Sequence, residues 1–112
     1  MSYDLTNMTY HAQVEREDRF SLIENTIGWG RPVVTTQSTT DETAKITLTK
    51  TGVIIIQNKD TNSIVTAYVA SVSQACRTWE EVKGNKPLPK WLWNRINYNN
   101  NTRYWKKICG LA

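Results

Sequence analysis

Val53-Ile54-Ile55-Ile56 is a run of four β-branched residues that begins directly after a glycine and ends at a polar segment. Branching at Cβ restricts χ1 and suits a pleated strand, in which successive side chains point to opposite faces. A half-exposed strand would alternate apolar with polar residues, whereas this run is apolar on both faces. It therefore predicts a central strand covered on both sides. Val33–Gln37, Ala44–Thr49, Val53–Gln57 and Ser63–Val69 are all rich in Val, Ile and Thr and read as strands. Lys50-Thr51-Gly52 makes a tight hairpin turn between the second and third. Asn58-Lys59-Asp60-Thr61-Asn62 makes a longer polar hairpin, and Ser38–Glu42 is a wholly polar loop. Strands joined this closely pair with their sequence neighbours, which predicts a four-stranded antiparallel meander.

Helical patterns flank the sheet. Thr9 to about Arg19 reads as a helix with Thr9 as its N-cap. Ser21 then caps a second, short helix, with Glu24 at the capping-box position and Leu22, Ile23 and Ile27 as its apolar stripe. Gly28 and Gly30 end it, and Pro32 prevents continuation. After the sheet, Ser71–Val82 reads as a helix capped by Ser71 or Ser73, with Val72, Ala75, Cys76 and Trp79 on one face. Gly84 stops it, and Lys86-Pro87-Leu88-Pro89 forms a rigid turn. Pro89, at the first helical position, opens Lys90–Asn97, with Trp91, Leu92 and Ile96 at packing spacing. Asn97, Asn99, Asn100 and Asn101 break that helix, and Thr102–Ile108 adds a last turn or two. Helices over residues 1–31, a sheet over 32–70 and helices over 71–112 predict one α+β domain. A chain of 112 residues is long enough for one domain with a true core.

Charge is divided unevenly. Residues 1–56 hold five basic and seven acidic side chains, net −2, and residues 57–112 hold nine and three, net +6. From Val82 to the end there are seven Lys or Arg and no Asp or Glu. Lys83, Lys86, Lys90, Arg95, Arg103, Lys106 and Lys107 alternate there with Trp91, Trp93, Tyr98, Tyr104 and Trp105. Cations neutralise phosphates, flat rings stack on unpaired bases, and amides read base edges. The segment therefore suits a nucleic-acid partner; a solvated basic helix with its rings in the core is the plainer alternative. Two distant cysteines, Cys76 and Cys109, and a single His give no metal-ligand spacing, so neither a metal nor a cofactor is implied. Without a signal-peptide pattern or an apolar run long enough to span a bilayer, the expectation is a cytosolic protein with reduced thiols and no membrane partner.

Two places could carry chemistry. His11 is the only side chain that ordinarily titrates near neutrality, and Arg16 and Arg19 follow it. In the last strand, Thr66 and Tyr68 alternate with Val65, Ala67 and Val69; the latter three read as the core face, so both hydroxyls fall on the other. The order of a helix with YHAQVEREDR, a polar strand pair and then TKTGVIIIQNKDTNSIVTAY resembles the barnase–colicin–RelE superfamily of small ribonuclease toxins, especially its phage-encoded and polymorphic-toxin branches. The resemblance covers roughly residues 9–70. It implies metal-independent RNA cleavage by 2′-OH transesterification. His11 would move the proton, Arg16 or Arg19 would stabilise phosphate charge, and Thr66 or Tyr68 would hold a phosphoryl oxygen, with Lys50 a further cation from the hairpin turn. It also implies a cognate antitoxin or immunity protein. With one His, the second proton-transfer role falls to Tyr68, Lys50 or the RNA itself.

Two other classes stay open. A non-catalytic nucleic-acid-binding protein or phage regulator needs nothing of His11 and uses Lys90, Trp93, Asn94 and Arg95 on the exposed side of a helix. A protein-interaction module would dock the basic aromatic segment on an acidic partner.

Overall fold

The computed structural model describes residues 17–38 and 41–101; the side chains of residues 17–19 lie outside that description. Its elements are α1 (Glu17–Thr26), β1 (Pro32–Gln37), β2 (Ala44–Thr49), β3 (Val53–Asn58), β4 (Ile64–Val69), α2 (Val72–Lys83) and α3 (Lys90–Asn100). The four strands form one antiparallel meander in the order β1-β2-β3-β4, so the protein is α+β as its sequence predicts. Among the described residues no helix is long and apolar enough to cross a membrane.

The sheet is covered on both faces, and β3 explains why. Val53 and Ile55 point to one side, where Phe20, Ile23, Trp29, Ile64, Ala67 and Val69 complete a core under α1. Ile54 points to the other, where Val34, Leu48, Ala70, Ala75, Leu92 and Ile96 form a second core under α2 and α3. Here α2 lies over β1 and β2, while α3 lies over β4. Phe20 and Trp29 meet edge to face, with ring centroids 5.9 Å apart.

Several local expectations are corrected. Ser21 caps nothing: α1 runs through it, because Phe20 and Ile23 supply a continuous buried stripe across that position. The helix ends where the Gly28 N–H reaches the Ile23 carbonyl at 2.7 Å, with Gly28 at φ +81°. Val65 does not belong to the core face. Ile56 pairs with Thr66 and Gln57 with Ile64, so Val65 is an extra, bulged residue and Ile64 is buried in its stead. Ser71, not Ser73, caps α2: its hydroxyl accepts from the Gln74 N–H, and the Gln74 side chain accepts from the Ser71 N–H in return. Pro89 occupies the N-cap of α3 and not its first turn, and its carbonyl accepts from the Trp93 N–H at 2.9 Å.

The asparagine run ends α3 three residues later than expected, with Asn101 as the C-cap. The helix continues to Asn100, because two of these side chains tie it to the sheet. Asn99, fully buried, donates from Nδ2 to the Thr51 carbonyl at 2.6 Å. Asn100 donates to the Ala70 carbonyl at 3.0 Å and to the Ile96 carbonyl at 2.8 Å. Thr51 also holds the opposite layer, since its hydroxyl lies 2.9 Å from the Gly28 carbonyl oxygen and 3.0 Å from that of Trp29. The β2–β3 turn is thus one point at which both helical layers are hydrogen-bonded to the sheet.

Candidate nucleic-acid interface

The surface of α3 follows from which of its residues face the sheet. Leu92, Ile96 and Asn99, at i, i+4 and i+7, are buried. At 100° per residue, the flank one position earlier holds Trp91, Arg95 and Tyr98, and the opposite flank holds Trp93 and Asn97. Trp91 is therefore not a packing residue, as its neighbourhood to Leu92 suggests; it is 51% exposed, with Trp93 at 47% and Tyr98 at 65%. Lys90 and Asn94 are exposed on the outermost side, as expected, whereas Arg95 is half-buried. The Arg95 guanidinium lies over the Tyr98 ring, 5.7 Å from its centroid, while its Nε is shielded from solvent and has no hydrogen-bond partner.

Other cations surround the helix. Lys83, Lys86 and Lys90 are all exposed around the α2–α3 connection. The Lys83 ammonium sits 5.7 Å from the centroid of the Trp79 ring. Glu80 and Glu81 are exposed just before Lys83, so the basic surface starts only at the C-terminal end of α2. Lys50 is exposed in the turn that abuts the other end of α3, where a Cβ on Gly52 would lie 2.9 Å from Asn99 Nδ2 and 3.1 Å from Ile96 Cγ1. Cations therefore occur near both ends of α3, and its rings lie between them.

The sheet residues are placed differently. Thr66 and Tyr68 share a face, as their spacing predicts, but it is the face covered by α2 and α3. Both are half-buried, and Tyr68 packs against the second core. Burial pushes the Tyr68 phenol above its ordinary pKa, which keeps it in the protonated form that can donate a hydrogen bond. The helix that carries Arg19 packs against the opposite face, on Ala67 and Val69. His11, Arg16, Arg103, Lys106 and Lys107 lie outside the described residues, as does the side chain of Arg19.

The structure thus gathers Lys83, Lys86, Lys90, Trp93, Arg95 and Lys50 around one helix. It turns outward Tyr98, which the sequence places among the rings of the basic segment, and Trp91, whose spacing also suits packing. The signal for them is that Asn99 extends the Leu92–Ile96 seam, which turns 91 and 98 outward together. It removes Asn99 and Asn100 from any role in reading bases, because their amides are committed to backbone carbonyls. Compared with protein-family models, curated proteins and solved structures, the chain matches none.

Proposed function

We propose that this protein binds RNA, in the cytosol, through the outer surface of its C-terminal helical layer. The observation that carries this reading is the coincidence on α3 and its flanks of exposed rings with cations, in a stretch that has no carboxylate from Val82 onward. Phosphates supply what the cations need, and bases supply flat partners for the rings. The test is affinity for a labelled RNA over a range of salt. Lys83, Lys86 and Lys90 changed together to Gln should weaken binding and flatten the log–log salt slope by about 2, at roughly 0.7 per lost phosphate contact on a single strand. Unchanged affinity and slope would place the binding surface elsewhere.

A second reading, the metal-independent endoribonuclease, is supported by the sheet. A helix before a four-stranded meander, with Thr66 and Tyr68 side by side on its last strand, is the arrangement that the resemblance implies. With Tyr68 protonated, it serves as a donor to phosphoryl oxygen, and His11 is left as the base that takes the 2′-OH proton. Purified protein incubated with total RNA in EDTA, beside the His11→Ala variant, separates the readings. New 2′,3′-cyclic phosphate ends that vanish in the variant support the nuclease, and a cognate antitoxin or immunity protein would then be its partner. Intact RNA that still shifts on a gel supports binding alone. RNA neither cut nor shifted points to an acidic protein partner.

A further inference from the structure

We infer that Trp91, Arg95 and Tyr98 form a stacking stripe for consecutive unpaired bases, so that the RNA bound is single-stranded. The inference rests on the RNA-binding reading and deepens it by naming which strand state and which side of α3 are used. The three residues stand at i, i+4 and i+7, a spacing that keeps them on one flank of the helix over a rise of about 10 Å. All three carry flat groups. Trp91 and Tyr98 are the most exposed rings among the described residues, at 51% and 65%. Arg95 contributes a planar guanidinium already laid over the Tyr98 ring, which presets one plate and places a positive charge beside the path of the phosphates.

A duplex hides its base faces, so a row of plates on a convex helix has little to bind there; a single strand offers every base face. Lys90 at one end and Lys50 near the other provide phosphate contacts beyond the stripe. Packing does not account for these rings, because Leu92, Ile96 and Asn99 already fill the seam against the sheet. Trp93, on the opposite flank, lacks a second ring at helical spacing among the described residues.

The test compares a twelve-nucleotide oligouridylate, an abasic strand of equal length and a twelve-base-pair RNA duplex at one fixed salt concentration. The native protein should bind oligouridylate more tightly than the abasic strand. Trp91→Ala and Tyr98→Ala should each weaken oligouridylate binding by about five- to 150-fold, the range of one lost base–ring stack, and leave the abasic strand and duplex unaffected. Trp91→Phe and Tyr98→Phe keep a ring and should retain most of the affinity, which guards against a variant that merely unfolds. Equal losses on the abasic strand, losses confined to Trp93→Ala, or unchanged oligouridylate binding in all variants would overturn the stripe and leave the RNA-binding reading standing. Failure of the native protein to bind any of the three probes would overturn both.

Discussion

Gly52 is the most constrained backbone position in the β2–β3 turn. Its φ is +84°, a region that L side chains rarely adopt, and a Cβ there would lie 2.9 Å from Asn99 Nδ2. Gly52→Ala should therefore destabilise the protein by about 1–3 kcal/mol, the combined effect of strain and overpacking, read as a lower denaturant midpoint at unchanged slope. Asn99 makes a matching case from the helix side. Asn99→Ala removes the donor to the Thr51 carbonyl and should cost about 1–3 kcal/mol. RNA affinity of the folded variant should stay near the native value; a loss of affinity with stability intact would mean that this amide reads RNA after all. Three asparagines within four positions look alike in sequence, and only the approach of Thr51 and Ala70 assigns Asn99 and Asn100 to structure.

At the scale of elements, α3 divides its apolar residues between two tasks. Leu92 and Ile96 are fully buried, and Leu92→Ala should cost about 2–5 kcal/mol through lost transfer energy and a cavity. Trp91→Ala, despite removing a larger side chain, should change stability by less than about 1 kcal/mol, because half of that ring is already in water. Thermal midpoints of the two variants check the pair, and a Trp91 effect as large as that of Leu92 would return Trp91 to the core. The helix was legible in the sequence; its rotation was not. Trp91, Leu92 and Trp93 are successive large apolar residues, so the pattern alone permits several inward faces. The surface of β4 and the β2–β3 turn selects the one that ends on Asn99. A similar limit applies to β4, where strict alternation places Val65 in the core. The bulge that replaces it with Ile64 arises from pairing with β3, a partner whose register is not local information.

For the whole molecule, the face that bears Tyr68 links proton binding to folding. Burial under the C-terminal layer raises the phenol's pKa above its ordinary 10.0, so the folded state holds that proton more tightly than the unfolded chain. The corresponding stability is complete below about pH 10 and is lost as pH rises through the raised value. Tyr68→Phe should therefore show a shallower fall in melting temperature above about pH 10 than the native protein. Parallel alkaline profiles would show that the phenol is not buried in solution. The same layer covers Thr66 and Tyr68, while α1 occupies the other face of the sheet. Strand order, the doubly covered β3, the helix on each side and the concentration of charge toward the C-terminus were all written in the sequence, because each depends on residues a few positions apart: branching at Cβ, turn chemistry, spacing and sign of charge. Which ring faces water, which asparagine holds the sheet and which strand residue bulges were decided only by tertiary structure. Asn99 and Thr51 are 48 residues apart, and neither has a role until the fold brings the amide to its carbonyl.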